Sequence, residues 1–234
     1  MADSRTPSEA VLCDGNLCQP FLDRLPISGA AVSLFGGSPS ETLACASGPT
    51  AARLDELQFD LGDGPRWEAR RTRSPVLVPD IRSSGPVAWP LLSKALLEMD
   101  VAAMFVFPAT LGALDLGIVE LHHTRPGALG YSDFTIASVL AGQTAWHLLR
   151  SVLSVDQPDS DPSVDRSLLS RREIHQATGM VLAQAKIPAA DALLLLRGHA
   201  FANSLSLREA AEEVLRGRLS FAPEGDGPDG TALQ

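Results

Sequence analysis

Arg172, Gln176 and Gly179 fall at i, i+4 and i+7, a spacing that sets them on one face of a helix. An arginine, an amide and a bare stretch of backbone on one face can meet phosphates and the bases of a nucleic-acid loop, with Arg197 beside them. Loop bases are read by splaying and stacking, and a guanidinium supplies both charge and a stacking plane. Gly179 costs about 1 kcal/mol relative to alanine inside a helix, so it needs a reason. Two stay open: close approach of RNA or a partner helix, or tight packing inside a helical bundle. The plainer reading of Arg171, Arg172, Arg208, Arg216 and Arg218 is a solvated charged surface.

A second group is aromatic. Trp67, Trp89, Phe105 and Phe107 suit a ligand pocket, because pockets are mostly apolar, and they suit an ordinary core equally. Catalytic patterns are missing from the sequence. His122 and His123 are adjacent in a strand-like run, so their side chains diverge, and His147 reads as a surface residue beside Trp146. The sequence has no nucleophile elbow, no Cys/His signature and no phosphate loop with its lysine, so the chain reads as a non-enzyme. Gly62-Asp63-Gly64-Pro65 reads as a tight turn. Cys13 and Cys18 have zinc-ligand spacing, but no second Cys/His pair completes four ligands, so no metal is expected. The odd count of three cysteines, with Cys45, argues for free thiols, and Cys45 reads as a packed core thiol.

The elements that must position these residues come from a chain of 234 residues, 45% hydrophobic and 20% charged. Such a chain buries a core in one large domain or two small ones. A formal charge of −9 excludes a generally basic nucleic-acid binder and leaves room for a local basic patch. The apolar runs fall far short of the roughly 20 residues a membrane helix needs, and no signal-peptide core opens the sequence, so a cytoplasmic location is expected. Composition breaks at Val155–Ser167, which holds two prolines and four aspartates, and again at Pro223–Gln234. These breaks divide the chain into a first domain over residues 10–152, an acidic linker over 153–166, a second domain over 167–221 and an acidic, disordered tail over 222–234. Leu168–Phe221 carries seven basic against five acidic residues, so the second domain alone is mildly basic.

In the first block, Ala30–Phe35, ended by Gly36-Gly37, and Thr42–Ala46 read as a β-hairpin. Pro75–Val78 is a short strand, and Val101–Pro108 pairs with Leu116–Leu121 around Gly112-Ala113. Helices are expected near Arg53–Gln58 and Pro90–Met99, and a long one from Ser132, which suits an N-cap. Antiparallel strands with packed helices make an α+β domain. In the second block, Ile174, Ala177, Val181 and Gln184/Ala185 form one helical stripe ending near Lys186. Pro188 suits the first position of a second helix, with Ala192, Leu193, Leu196 and Ala200 inward. Ser206 and Glu209 form a capping box for a third helix carrying Leu207, Ala210, Ala211, Val214 and Leu215. Leu193–Leu196 is apolar more than halfway round its helix, so one side must face something outside its own bundle.

Leu61-Gly62-Asp63-Gly64-Pro65, Arg71-Thr72-Arg73-Ser74-Pro75-Val76-Leu77-Val78-Pro79-Asp80, Phe105-Val106-Phe107-Pro108 and Leu116-Gly117-Ile118-Val119-Glu120-Leu121 resemble the middle of actinobacterial GAF domains. Arg66-Trp67 stands where many members carry Cys after Gly-Pro. The resemblance implies about six antiparallel strands and a cupped face that accepts a small molecule, whose identity the family does not fix. Arg172, Ile174, Ala177, Gly179-Met180-Val181-Leu182-Ala183-Gln184, then Ala192-Leu193, Leu196-Arg197, His199-Ala200-Phe201, and then Leu207, Ala211, Val214 and Arg218-Leu219-Ser220-Phe221 resemble an ANTAR domain. The whole is similar to a GAF–ANTAR regulator of transcription antitermination. That resemblance implies a three-helix bundle acting as a homodimer on paired RNA hairpins. It assigns RNA contacts to Arg171, Arg172, Gln176, Gly179, Arg197, His199 and Arg208. Thr178 stands where many members have Lys, and Leu193 where many have an aromatic ring. A small-molecule effector for the first domain, with no fixed cofactor, and an acidic linker and tail competing with RNA complete the expectation. The alternative is a protein-interaction module whose bundle touches no RNA.

Overall fold

The computed structural model describes residues 17–35, 41–154 and 171–222, apart from the side chains of residues 84–87, 151 and 154. Cys13, the Gly36-Gly37 turn, the Val155–Ser167 stretch and Pro223–Gln234 lie outside the described residues. The chain divides into two units between Ser170 and Arg171.

The first unit opens with α1 (Gln19–Arg24), β1 (Gly29–Phe35), β2 (Glu41–Ala46), α2 (Pro49–Leu61), α3 (Pro65–Thr72) and β3 (Val76–Val78). It continues with α4 (Ile81–Ala88), α5 (Pro90–Leu96), β4 (Ala103–Leu111), β5 (Leu114–His123) and α6 (Tyr131–Ser154). Among the described residues the sheet has five strands in the order β2-β1-β5-β4-β3, every pair antiparallel. Helix α6 starts one residue before the expected cap, with Phe134 N–H donating to Gly130 C=O at 2.9 Å. Helix ends drift by a residue or two because the first turn has no intrahelical partners for its N–H groups.

Alternation along the strands decides what each face of the sheet meets. Phe105, Phe107, Val119 and Leu121 face Phe21 of α1 and Leu140, Ala141, Ala145 and Leu148 of α6. Met104, Val106 and Ile118 point the other way, against Leu54 of α2, Ala69 of α3, Ile81 of α4 and Leu92 of α5. Fully burying a side chain of this kind contributes roughly 1.5–3 kcal/mol, so both faces are needed to hold the two helical layers. Gly117 is required where β5 crosses β1: a Cβ there would lie 2.2 Å from the Ser33 carbonyl oxygen and 2.6 Å from Leu148 Cδ1.

The cysteine expectation is corrected. Cys18, at the start of α1, and Cys45, in β2, form a disulfide with Cα atoms 6.2 Å apart. Cys45 is indeed buried, but it is paired and not free. The two residues stand 27 apart in sequence, and only the packing of α1 against the sheet brings them within bridging range.

The second helical layer is fastened by charge as well as by apolar contact. Arg66, at the start of α3, is 1% exposed. Its guanidinium donates to Glu41 of β2, to Asp55 of α2 and, at 3.1 Å, to Glu120 of β5. Gln58 of α2 donates to Glu120 and accepts the Arg66 backbone N–H at 3.0 Å, while Ser33 of β1 donates to Asp55 at 2.5 Å. Glu41, Asp55, Gln58, Glu120 and Ser33 are all buried. Removing one partner of a buried ionic group costs about 3–5 kcal/mol, because the remaining charges stay desolvated. We therefore expect Arg66→Met to lower the stability of the first unit by about that amount. All three tryptophans, Trp67, Trp89 and Trp146, lie in this unit, so tryptophan fluorescence during urea unfolding of the full chain reads it directly. An unchanged midpoint would show that the network does not hold the layers together.

His122 and His123 diverge as expected. His123 Nδ1 lies 3.0 Å from Ser28 Oγ at the sheet margin, whereas His122 is buried against Gly29. Burial, with a smaller push from His123 and against the pull of Asp100, lowers the His122 pKa to about 4. The folded state holds this imidazole neutral, while the unfolded chain takes a proton below about pH 6.5. Stability from this group is therefore present above pH 6.5 and is lost as pH falls toward 4. Between pH 6.5 and 5 the loss is about 1.5 kcal/mol. His122→Gln should flatten that part of the stability–pH curve, measured by thermal unfolding at pH 5 and pH 7.

Candidate functional site

The second unit is three helices: α7 (Arg172–Ala185), α8 (Ala189–Ala202) and α9 (Leu207–Leu215). Helices α7 and α8 meet at 105°. Helix α7 ends at Lys186, which takes the left-handed conformation with φ 54°, and Pro188 sits at the cap position just before α8. The capping box of α9 is formed: the Glu209 backbone N–H donates to Ser206 Oγ at 3.2 Å and the Ser206 N–H donates to Glu209 Oε2 at 2.7 Å. Those hydrogen bonds hold the Glu209 carboxyl below its usual range. The inward stripes are Ile174, Ala177 and Val181 of α7, Ala192, Leu193, Leu196 and Ala200 of α8, and Leu207, Ala210, Ala211 and Val214 of α9.

Arg172, Gln176 and Gly179 form an exposed stripe on α7, opposite its buried side. A Cβ on Gly179 would meet nothing within 4 Å, so packing inside the bundle is not what the missing side chain serves. The backbone of α7 is open there instead. Lys186, fourteen residues after Arg172, is exposed near the same face at the end of the helix. Sequence reading missed Lys186, although its spacing of almost four turns was visible.

The other candidates are placed differently. Arg171 is 4% exposed, so it presents no cation on that stripe, while burial and, to a smaller degree, the Arg171 charge lower the pKa of His175. Arg208 donates to Glu173 Oε2 at 3.3 Å across α9 and α7. His199 meets the Phe221 ring edge-on at 5.9 Å, and its Nε2 lies 3.9 Å from Glu213 Oε2. Arg197 is half-buried on α8. Thr178 is buried and donates to Ile174 C=O at 2.7 Å, and Leu193 is buried too. Both departures from the ANTAR pattern therefore lie in the interior, and Thr178 is not where a phosphate would be met.

The leucine run divides as its helical spacing requires. Leu193 and Leu196 face inward, while Leu194 is 65% exposed, Leu195 42% and Phe201 64%. Gly198 lies between Leu194 and Phe201 with nothing within 4 Å of where its Cβ would be. Helix α8 thus carries an open apolar face.

In the first unit, α2 ends at Gly62 in the left-handed conformation, and Asp63 Oδ1 accepts the Gly64 N–H at 2.8 Å. Gly64 has φ 120°, and a Cβ there would lie 2.7 Å from Leu92 and 2.8 Å from Gln58, so the expected tight turn is a crowded junction between α2 and α3. Beyond it lies a cleft of about 580 Å³ lined by Asp63, Trp67, Glu68, Arg70, Arg71 and Trp89. The Arg70 guanidinium stacks 4.1 Å over the Phe35 ring and lies 3.7 Å from Glu41, and burial pushes its pKa down. Trp67 Nε1 donates to Gln58 C=O at 2.7 Å, which fixes its ring at the cleft wall. Phe105 and Phe107 are not part of this site. They point to the opposite face of the sheet, where Phe107 packs 5.8 Å from Phe134 of α6. Among the described residues no group of His, Cys, Asp and Glu could hold a metal ion, and no single helix is long and apolar enough to cross a membrane.

The GAF domain family matches residues 17–148, and the ANTAR domain family matches residues 163–215. A domain of a two-component sensor histidine kinase protein from Sinorhizobium meliloti is 18% identical with a TM-score of 0.48, covering 62% of this chain and 93% of that one. A GAF domain/HD domain protein from Geobacter sulfurreducens is 19% identical with a TM-score of 0.45, over 59% and 90% of the two chains. Type II free methionine-R-sulfoxide reductase from Thermoplasma acidophilum is 15% identical with a TM-score of 0.43, over 57% and 87%. A search of curated proteins returns no match.

Proposed function

Because the chain belongs to the GAF domain family and carries an ANTAR domain behind it, we propose that it is a signal-responsive RNA-binding regulator and not an enzyme. Its output is antitermination: the ANTAR unit grips paired hairpins in a nascent transcript and favours the structure that lets transcription continue. The observation that carries this reading is the open stripe of Arg172, Gln176 and Gly179 on α7. A guanidinium and an amide there flank backbone that no side chain covers, so a phosphate or a splayed base can approach closely. The regulator acts as a homodimer through the apolar face of α8. Two linked sites raise the effective affinity for two hairpins without new contacts, which suits a unit of small positive charge.

The test is titration with a two-hairpin RNA and with one hairpin alone, at two salt concentrations. Phosphate contacts release counterions, so affinity should fall steeply with salt. Arg172→Ala should weaken binding several-fold and reduce the salt slope by about one. Leu194→Glu should keep single-hairpin affinity, lose the two-hairpin advantage and scatter light as a monomer. The exposed Leu194, Leu195 and Phe201 also favour a second reading, a protein-interaction module without RNA. Absence of salt-sensitive binding by the wild type would select that second reading.

The first domain is the sensor, and its effector occupies the cleft walled by Trp67 and Trp89. A ligand bound only to the folded state at a hundredfold excess over its Kd stabilises by about 2.7 kcal/mol. A metabolite panel should therefore contain a compound that raises the melting temperature and alters tryptophan emission, with Trp67→Ala losing both responses. A panel without any such shift would remove the sensing part of the proposal.

A further inference from the structure

The Cys18–Cys45 bond lies where a short helix meets the sheet. Helix α1 is six residues long. A helix shorter than about a dozen residues is marginal by itself in water. Among the described residues the hydrogen bonds of α1 run no further than Cys18 and Leu25 at its ends. What fastens it to the sheet is therefore the burial of Phe21 and Leu25 together with the Cys18–Cys45 bond. Cys45 is placed differently. It lies in β2 opposite Val32 of β1, so the strand ladder keeps it in position whether or not its sulfur is bonded.

Both cysteines belong to the apolar cluster that holds Phe21, Phe105 and Val119, with Cys18 3% and Cys45 5% exposed. A free thiol behaves as a small hydrophobic group, so this cluster can accommodate two thiols as well as one disulfide. Two folded states follow. With the bond formed, α1 is tied to a strand 27 residues further along the chain. With the bond broken, α1 depends on two apolar side chains and opens more often. Opening is also what lets a reagent reach sulfurs buried this far, so the element that is released is the one that admits the reagent.

A protein that meets nascent transcripts works among small thiols that keep cysteines reduced, where a disulfide is commonly transient and redox-sensing. Resting on that RNA reading, we propose that Cys18 and Cys45 are a reversible thiol–disulfide site. Through it the first unit takes in the redox state of a small-thiol pool as a signal, fastening α1 when the bond forms and releasing it when the bond breaks. The exchange partner is a low-molecular-weight thiol and its disulfide. One thiolate of this class attacks a sulfur of the Cys18–Cys45 bond, forming a mixed disulfide and expelling the other cysteine as a thiolate, which takes a proton. A second thiolate attacks the mixed disulfide and expels the remaining cysteine, which is protonated in turn. The two small molecules leave joined as a disulfide, having given two electrons to the pair. The reverse sequence re-forms the bond.

The test uses the folded full-length chain in glutathione buffers ranging from reduced to oxidised, approached from both ends. Free thiols are trapped with N-ethylmaleimide, and the remaining link is located by peptide mass spectrometry. Cys18–Cys45 should be mostly linked in oxidised buffer and mostly free in reduced buffer, and the two approaches should converge. A link that survives millimolar reduced glutathione in the folded chain is a fixed staple and would overturn the proposal. Absence of the link in oxidised buffer, or a link from Cys45 to Cys13 in its place, would overturn it as well.

The release of α1 is read by hydrogen exchange on the same samples. Peptides covering Gln19–Leu25 should exchange about tenfold faster in the reduced protein, while those covering β4 and β5 stay unchanged. Equal exchange over α1 would overturn the release. Faster exchange throughout the first unit would do so too, because the bond would then hold the whole fold and not one helix. Cys18→Ala should exchange as the reduced wild type does in both buffers. If this variant still responds to the buffers over α1, the response does not come from the pair and the proposal fails. No measurement here uses RNA, so the thiol site is judged apart from the two-hairpin titration. Should that titration show no binding, the RNA reading fails alone.

Discussion

One buried guanidinium organises the first unit. Arg66 carries the ion pairs of Glu41, Asp55 and Glu120, and these come from β2, α2 and β5. A carboxylate in an apolar interior is tolerable only when paired and hydrogen-bonded. All three share this cation, and through it the helix that carries Arg66 is held to the sheet. Gln58 adds a hydrogen bond to Glu120 and one from the Arg66 backbone, and Ser33 adds one to Asp55. Arginine suits this place because its planar fork can serve several acceptors at once, which a lysine cannot do with the same geometry.

The network also shapes the cleft. Trp67 follows Arg66 on α3 and is anchored to Gln58, which itself belongs to the network. Arg70, one turn later, touches Glu41 while stacking on Phe35. The cleft wall and the buried charges therefore share residues, and a ligand that moved Arg70 would act on a side chain already tied to the interior. The inner face of the sheet is filled by this cluster and by Met104, Val106 and Ile118, so the cleft lies outside α3 and not deep in the fold.

In the second unit the constraint is size. A bundle of three short helices has too little interior to hide every apolar residue it carries, and α8 keeps Leu194, Leu195 and Phe201 exposed beside its inward stripe. Its inward half builds the core and its outward half stays open. The same small size leaves α7 with one full face uncovered, where Gly179 removes even the Cβ. A helix glycine that neither ends the helix nor makes room for a neighbour costs stability, and that cost points to what approaches the helix from outside.

Much of this was legible in local pattern. Short apolar runs ended by glycine and proline turns marked the strands, the 3.6-residue stripes marked the helices of the bundle, and Ser206 with Glu209 marked a capping box that is formed as expected. The stripe of Arg172, Gln176 and Gly179 followed from spacing alone, because helical geometry is fixed by the backbone. What the sequence could not reveal were meetings between residues far apart in the chain. Cys18 joins Cys45, Arg66 gathers Glu41 and Glu120, and Phe105 and Phe107 turn away from Trp67, because sheet order and helix docking decide which distant faces touch. Arg171 and Arg172 make the same point in two adjacent residues. They are chemically identical and equally basic in sequence, yet the start of α7 buries the first and exposes the second, since one position of helical rotation separates the interior from water.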